Sequence, residues 1–425
     1  CVTDPADAVA VAATAYDTAA VDRRTVVLNL PLHTQSAQVP PDHLCQPEHP
    51  APAGLPTAEA VDALVSAIAE AERPVFVAGR GSRGPGARTA LESLADTAGA
   101  LLATSAVAKG LFHGNPWSLD VSGGFASPLA AELISHADLI VGFGCALNMW
   151  TMRQGTLIAD DATVAQVDLD ESALGVHRHI DLGIIGDVAQ TAEATTEALR
   201  ADPPSRVGYR SDPIRARIER EVRWRDVDYD DLSTVDRIDP RALSIALDDI
   251  LPDERVVGVD SGNFMGYPSM YLSVPDENAF CFTQAFQSVG LGLATTIGAA
   301  LAQPHRLPVA TLGDGGALMA AAELETVVRL GLPMVIVVYD DEAYGAEVHH
   351  FGPHGDDLAT VCFPPTDFAR IGAGYGMDTV TVRAVGDLDK AREWVNGGRS
   401  KPLLIHALVT HDEPSWWLEE AFRGH

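Results

Sequence analysis

Two aspartates set the first chemical constraint on this chain. Asp314 stands in Gly313-Asp314-Gly315-Gly316, at the end of an apolar run over residues 309–312, and Asp341 follows a second apolar run over residues 334–339. The 27 residues separating them suffice to climb one helix and return along a parallel strand. Both carboxylates can then face one crevice at the carboxyl ends of neighbouring strands, where open α/β sheets bind ligands. The glycines beside Asp314 let backbone N–H groups approach a phosphate at a helix N-terminus, whose dipole favours an anion. Two carboxylates alone would repel such a group. A divalent cation between them resolves the conflict, and hard oxygen donors in near-octahedral geometry suit Mg2+.

Other candidates leave alternatives open. Glu347, six residues after Asp341, is either a general acid with a raised pKa in an apolar cleft or a solvated glutamate at a helix start. His349 and His350 are adjacent and point in different directions on a helix or a strand, which argues against a zinc pair, although one of them could reach a substrate. The small-residue segment from Phe286 to Gly298 reads equally as a helix packed closely on a sheet or as part of a site. Gly79-Arg80-Gly81-Ser82-Arg83-Gly84 is a literal G-x-G-x-x-G after a strand, but a nicotinamide site wants an acid at the end of the next strand, and residues 101–105 carry none. A tight strand-to-helix turn is the favoured reading there. The chain has no G-x-S-x-G elbow, H-E-x-x-H helix or G-x-x-x-x-G-K-[ST] loop, so serine-hydrolase, zincin and P-loop readings have no local support.

The elements that must position these residues alternate between short apolar strands and helices. Strands are expected at 74–78, 101–104, 139–143 and 164–168, with helices at 58–72 and 87–98. Further strands are expected at 256–259, 309–312, 334–339 and 403–406, with a helix over about 317–330. Residues 4–20 and 25–31 predict one helix and one strand, too little for a core of their own. The fold class is therefore α/β: two doubly wound, parallel-sheet, Rossmann-like domains (58–200 and 238–425) plus the C-terminal tail of a third α/β domain (1–39). Six prolines make 40–57 an extended linker, and 201–237 is a polar connection with one charged helix. Trp416 and Trp417 either cover a site or pack the chain end.

Composition narrows the partners. A formal charge of −30, from 29 Lys+Arg against 59 Asp+Glu, repels nucleic-acid backbones and anionic membrane surfaces. No stretch approaches the roughly eighteen apolar residues of a membrane helix. Five scattered cysteines without a C-x-x-C pair fit a reduced, cytoplasmic protein. Position 1 is Cys rather than Met, so the chain reads as processed, a fragment, or the downstream part of something longer.

The Gly-Asp-Gly at 313–315, followed after about two dozen residues by the pair Asp340-Asp341, resembles the thiamine-diphosphate motif of acetolactate synthase-like and pyruvate decarboxylase-like enzymes. The likeness runs over nearly the whole chain: the tail of a pyrimidine-binding domain, a central domain and a diphosphate-binding domain. It implies that Asp314, Asp341 and the carbonyl of Ala343 hold Mg2+. Gly313, Gly315, Gly316, Ser261, Gly262, Asn263, Tyr344 and Gly345 would surround thiamine diphosphate, Val289 would wedge between its rings, and the carbonyl of Gln287 would accept from its 4′-amino group. Glu347 falls where the decarboxylases carry a proton-handling glutamate. One departure stands out: the family usually has Asn at the position of Asp341. The extra charge should tighten the cation and weaken diphosphate binding without it.

The resemblance also implies a reaction. It is decarboxylation of a 2-oxo acid, carboligation of the resulting enamine, or both. The central domain of relatives holds flavin or an adenine nucleotide, or is empty, and the segment from Lys109 to Pro116 departs from the flavin-contacting pattern, which argues against FAD. The family's activating glutamate belongs to the pyrimidine-binding domain, so it is expected from upstream sequence or from a separate subunit, within a homodimer or tetramer. The competing readings are a noncatalytic cofactor-binding subunit and a nicotinamide-dependent dehydrogenase built on Gly79 to Gly84.

Overall fold

The computed structural model describes residues 1–21, 25–38, 54–203, 206, 208–286 and 288–418. The chain divides into two compact units, Cys1–Gly54 and Leu55–His425. In the first, Asp4 accepts from the N–H of Ala6 at 2.9 Å and starts a short turn that leads into the helix Ala8–Val21. Only Val2 and Thr34 are buried among its described residues, so this unit has almost no core. The strand expected at 25–31 does not form. A strand needs a neighbour for its backbone groups, and no described residue of this unit belongs to one. Of the expected linker, residues 40–53 lie outside the described residues.

The larger unit contains two six-stranded sheets. The first is built from β1 (Pro74–Ala78), β2 (Leu101–Thr104), β3 (Ser118–Val121), β4 (Leu139–Phe143), β5 (Thr163–Asp168) and β6 (Leu182–Ile185). Its order is β3-β2-β1-β4-β5-β6, with every pair parallel. The second is built from β7 (Arg255–Val259), β8 (Phe280–Phe282), β9 (Leu307–Gly313), β10 (Val335–Asp340), β11 (Asp378–Val382) and β12 (Leu403–Leu408). Its order is β11-β12-β10-β9-β7-β8, again all parallel.

The continuous apolar runs follow from burial on both faces. In β10, Val335, Val337 and Tyr339 join Leu243 and Leu247 in one core layer, while Ile336 and Val338 join Leu293, Ile297 and Leu324 in the other. In β1, Phe76 and Ala78 pack with Leu91 and Leu94, whereas Val75 and Val77 pack with Leu129 and Ile134. Each large side chain so buried contributes about 1.5–3 kcal/mol, which anchors the loops leaving these strands.

The helices have equally local causes. Thr57 caps Ala58–Glu70 by accepting from the N–H of Ala60, and Val61, Leu64 and Ile68 form its buried stripe. Ala87–Ala98 ends at Gly99 in a left-handed conformation (φ +65°). The charged connection contains the helix Asp212–Glu221, tied down by Arg217 on Glu132 at 2.8 Å and by buried Ile218. The single helix expected over 317–330 is instead two, Asp314–Met319 and Glu323–Arg329. Nothing in the alanine-rich junction accounts for the break. Among the described residues, no helix is long and apolar enough to cross a membrane.

Candidate cofactor site

In the second sheet, β7 lies between β8 and β9, so the connections from neighbouring strands run in opposite directions there. A crevice opens at such a switch point beyond the carboxyl ends of the strands. It is a cavity of about 240 Å³. The loop after β7 contributes Ser261, Gly262 and Asn263, and the turn after β9 contributes Gly313, Asp314, Gly315 and Gly316. The loop after β10 adds Asp341, Ala343, Tyr344, Gly345 and Glu347, and Val289 closes one side. The residues that the resemblance assigned to the cofactor and the cation, together with Glu347, thus share one cavity except Gln287, which lies outside the described residues.

The glycines have specific work here. A Cβ on Gly315 would overlap the Tyr344 ring, one on Gly316 would meet the Asp260 carboxylate, and one on Gly345 would meet the carboxylate of Asp341. At Gly313 a Cβ would come to 3.0 Å from the ring of Phe264. The helix Asp314–Met319 starts in this cradle, with Gly315 and Gly316 in its first turn. Asp260 is fully buried at the end of β7. It accepts from the N–H of Gly290 through both oxygens, at 2.9 and 3.1 Å, and from the N–H of Ser261 at 2.9 Å.

Two carboxyls dominate the electrostatics. Asp314 is 3% exposed, and burial first, then the neighbouring charges of Asp341 and Asp340, push its pKa up to about 9. Burial likewise raises Asp341 to about 7, against the lowering effect of the Asn263 amide at 3.5 Å. A cation placed between the two would stabilise their ionised forms. Among the described residues no three His, Cys, Asp or Glu side chains converge as a metal site. A cation in the cavity would therefore take two carboxylates, with the Ala343 carbonyl and ligand or water oxygens as the rest. That all-oxygen donor set fits Mg2+.

Several residues differ from expectation. Glu347 lines the cavity from the first turn of the helix Gly345–Phe351 but is exposed, rather than enclosed in an apolar cleft. Neither His349 nor His350 lines the cavity. His349 is half-buried, and burial, with His411 nearby, lowers its pKa. The ring of His350 packs on Phe351 and His354, at centroid distances of 4.7 and 5.9 Å.

Sequence reading missed Met149, Trp150, Phe264, Gln284 and Ala346 as lining residues. Met149 and Trp150 follow β4 in the other sheet, so nothing local marks them. Gln284 bonds the hydroxyl of Ser261. Trp417 both packs the chain and walls the cavity: it is 5% exposed, and its indole N–H donates to the carbonyl of Asn263 at 2.8 Å. Ser415 donates to the side-chain oxygen of Asn263, also at 2.8 Å.

The glycine turn after β1 has another use. A Cβ on Gly79 would overlap the carbonyl oxygen of Gly144, and one on Gly81 would lie 2.7 Å from the Gly144 Cα. These glycines let two backbones cross, and that accounts for them without a nicotinamide.

Fold and site together define an α/β protein with a carboxylate-bearing ligand crevice at the switch point of its second sheet. Residues 61–195 match the family model "Thiamine pyrophosphate enzyme, central domain", and residues 260–407 match "Thiamine pyrophosphate enzyme, C-terminal TPP binding domain". The chain belongs to the family of thiamine-diphosphate-dependent enzymes. It is 23% identical over 345 residues to the probable acetolactate synthase large subunit of Methanococcus aeolicus, covering 78% of this chain and 57% of that protein. It is 27% identical over 324 residues to the sulfoacetaldehyde acetyltransferase of Castellaniella defragrans, covering 72% and 54% respectively. The chain thus spans a little over half the length of these relatives. Among solved structures, the thiamine diphosphate-dependent 4-hydroxybenzoylformate decarboxylase of Rhodococcus jostii RHA1 shares the fold, with a TM-score of 0.76 at 20% identity over 97% of this chain and 76% of that one.

Proposed function

We propose that this chain holds thiamine diphosphate through Mg2+ and takes part in converting a 2-oxo acid, by decarboxylation or by joining the remaining fragment to a second carbonyl. The convergence of the loops after β7, β9 and β10 on one cavity carries the reading. Thiamine diphosphate supplies the nucleophile and electron sink for such reactions. The chain supplies the rest. Asp314, Asp341 and the Ala343 carbonyl hold the cation, while N–H groups of Gly315 and Gly316 at the helix start receive the diphosphate. Ser261, Gly262 and Asn263 wall the cavity beside it, and Val289 supports the rings. Trp150 and Trp417 exclude water, and Glu347 lies at the mouth on the substrate side, placed to transfer a proton.

Binding is the direct test. Titration of thiamine diphosphate into the purified chain, followed by tryptophan fluorescence or calorimetry, is expected to saturate with Mg2+ and to weaken strongly in EDTA. Binding that ignores Mg2+ would defeat the reading. Given turnover of a 2-oxo acid, Glu347→Gln is expected to lower kcat by about a hundredfold with cofactor affinity unchanged.

A partner is part of the proposal. Val289, 37% exposed, lines the cavity; Met319, 57% exposed, lies against the neighbouring Gly290, and Phe286 and Leu291, 79% and 37% exposed, flank Val289 in the sequence. Such an apolar patch beside a cofactor crevice suits a second subunit, either another copy of this protein or a separate one. Light scattering with and without cofactor tests the self-association arm.

A further inference from the structure

Within the loop after β10, the two proposed oxygen donors, the Asp341 carboxylate and the Ala343 carbonyl, flank a residue in an uncommon conformation. Glu342 has φ +58°, a left-handed backbone that a residue with a side chain adopts only when its surroundings enforce it. Its surroundings are unusually complete. The N–H of Glu342 donates to Oδ1 of Asp340 at 3.1 Å, and its carbonyl accepts from the N–H of Phe363 at 2.7 Å. Its carboxylate pairs with Nη2 of Arg237 at 2.7 Å.

Arg237 comes from a distant part of the chain, and its own backbone is anchored. Ile238 beside it forms a parallel bridge with Val409, with the Ile238 N–H on the Leu408 carbonyl at 2.9 Å. The Nη1 of Arg237 donates to the carbonyl of Val409 at 3.0 Å and lies 3.4 Å from that of Asp340. The guanidinium therefore clamps both ends of the tripeptide Asp340–Glu342, through one backbone oxygen and one carboxylate.

The other oxygen of Asp340 is equally committed. Oδ2 lies 2.7 Å from Nε2 of His406 on β12, and both side chains are buried, at 1% and 5% exposure. Asp340 would otherwise be a third carboxylate beside Asp314 and Asp341, yet it does not line the cavity. Arg237, Glu342 and His406 do not line it either.

We propose that Arg237 and the His406–Asp340 pair are positioning residues for the cation, resting on the site reading above. They hold Glu342 in its left-handed turn, so that the carboxylate of Asp341 and the carbonyl of Ala343 serve the same cavity, and they keep the Asp340 carboxylate out of the cation's coordination. Partners one shell removed from a metal typically change its affinity by about 10–100-fold when lost.

The test is a Mn2+ titration followed by electron paramagnetic resonance, with thiamine diphosphate present at saturation and no substrate. Arg237→Ala is expected to weaken Mn2+ binding by about tenfold. Glu342→Gly is expected to leave it within about twofold, since glycine reaches positive φ without help. The double variant R237A/E342G is expected to recover most of the loss seen in R237A. Because glycine at 342 also relieves backbone strain and can raise stability by itself, melting temperature is measured alongside; positioning requires that Mn2+ affinity recover in R237A/E342G without a matching rise in melting temperature. His406→Gln, which keeps a donor for Asp340, is expected to bind Mn2+ better than His406→Leu. Unchanged Mn2+ affinity in R237A, or a loss that Glu342→Gly does not repair, overturns the proposal. If the unaltered chain binds Mn2+ and Asp314→Asn does not, the site reading stands whatever R237A does. If the unaltered chain does not bind Mn2+ with thiamine diphosphate, both fall.

Discussion

The two sheets of the larger unit have six parallel strands each and a glycine turn after an early strand, yet those turns do different things. After β1, Gly79 and Gly81 make room for the crossing backbone at Gly144. After β9 and β10, Gly315, Gly316 and Gly345 make room for Tyr344 and for the carboxylates of Asp260 and Asp341. Buried charge follows the same division. Around the first sheet Lys109 is the one buried charged side chain among the described residues, paired with Asp120 at 3.1 Å. At the strand ends of the second sheet, Asp260, Asp314 and Asp340 are all buried. A glycine motif by itself therefore says only that something comes close. Whether that is a neighbouring backbone or the side chains that build a site depends on what a Cβ would strike.

The largest effect that would sharpen this contrast is on the second sheet's crevice. Asp314→Asn is expected to reduce Mg2+-dependent thiamine-diphosphate affinity by about a hundredfold, since one of two charged donors is lost. Calorimetry with unaltered melting behaviour would confirm it, and retained affinity would refute the cation assignment.

Next come matched alanine substitutions in the two turns. Gly316→Ala sets a methyl against Asp260 and is expected to lower cofactor affinity by tenfold or so with a modest change in melting. Gly79→Ala forces the Gly144 strand end to move and is expected to cost about 1–3 kcal/mol of stability, with cofactor affinity unchanged. Swapped phenotypes would break the comparison.

The pH response of the metal-free chain is a smaller effect with a definite sign. Asp314 and Asp341 sit at about 9 and about 7 against an ordinary value of 3.8. The native state then keeps protons that the unfolded chain has released, so this contribution to stability is fully present below about pH 4 and is lost as pH rises through 7 and then 9. Melting temperature in EDTA is expected to fall from about pH 5 to pH 9, and less steeply in Asp341→Asn. Cation affinity is expected to rise over the same interval. A melting temperature that climbs with pH across this range in EDTA would contradict the assignment.

The smallest expected effect concerns the wall contributed by the chain's last described segment. Trp417→Phe removes the bond to the Asn263 carbonyl while keeping a ring against Gly266 and Phe125. Weakening of cofactor binding by about threefold is expected, the value of a hydrogen bond of roughly 0.5–1 kcal/mol. No change would mean that Trp417 only packs.

Legibility in the sequence followed burial. The eight strands expected in the larger unit all form, within two residues at either end. The four that were missed are β3, β6, β8 and β11, which are the two edges of each sheet. Edge strands are short and have partners on one side only, so they need no continuous apolar run. Ser118–Val121 and Asp378–Val382 alternate buried with more exposed positions instead. The strand expected at 25–31 failed for the converse reason: its residues have strand character, but no described residue of their unit forms a strand for them to pair with.

The candidate site divides along a similar line. Asp314 and Asp341 could be placed together from spacing alone, because a single β-α-β unit joins them and its geometry is local. Ser261 to Asn263 and Val289 were reached through the family resemblance, and the fold brings them to the same cavity. Met149 and Trp150 were beyond reach as lining residues, since they arrive from another sheet, and Trp417, from the far end of the chain, could be read only as covering a site or packing the chain end. The same holds for Arg237 and His406, which act on the β10 loop across 103 and 66 residues of sequence. Periodicity and spacing determine which backbone groups can be close when few residues intervene. Contacts across long loops depend on how whole sheets and helices pack, and only the tertiary structure decides those.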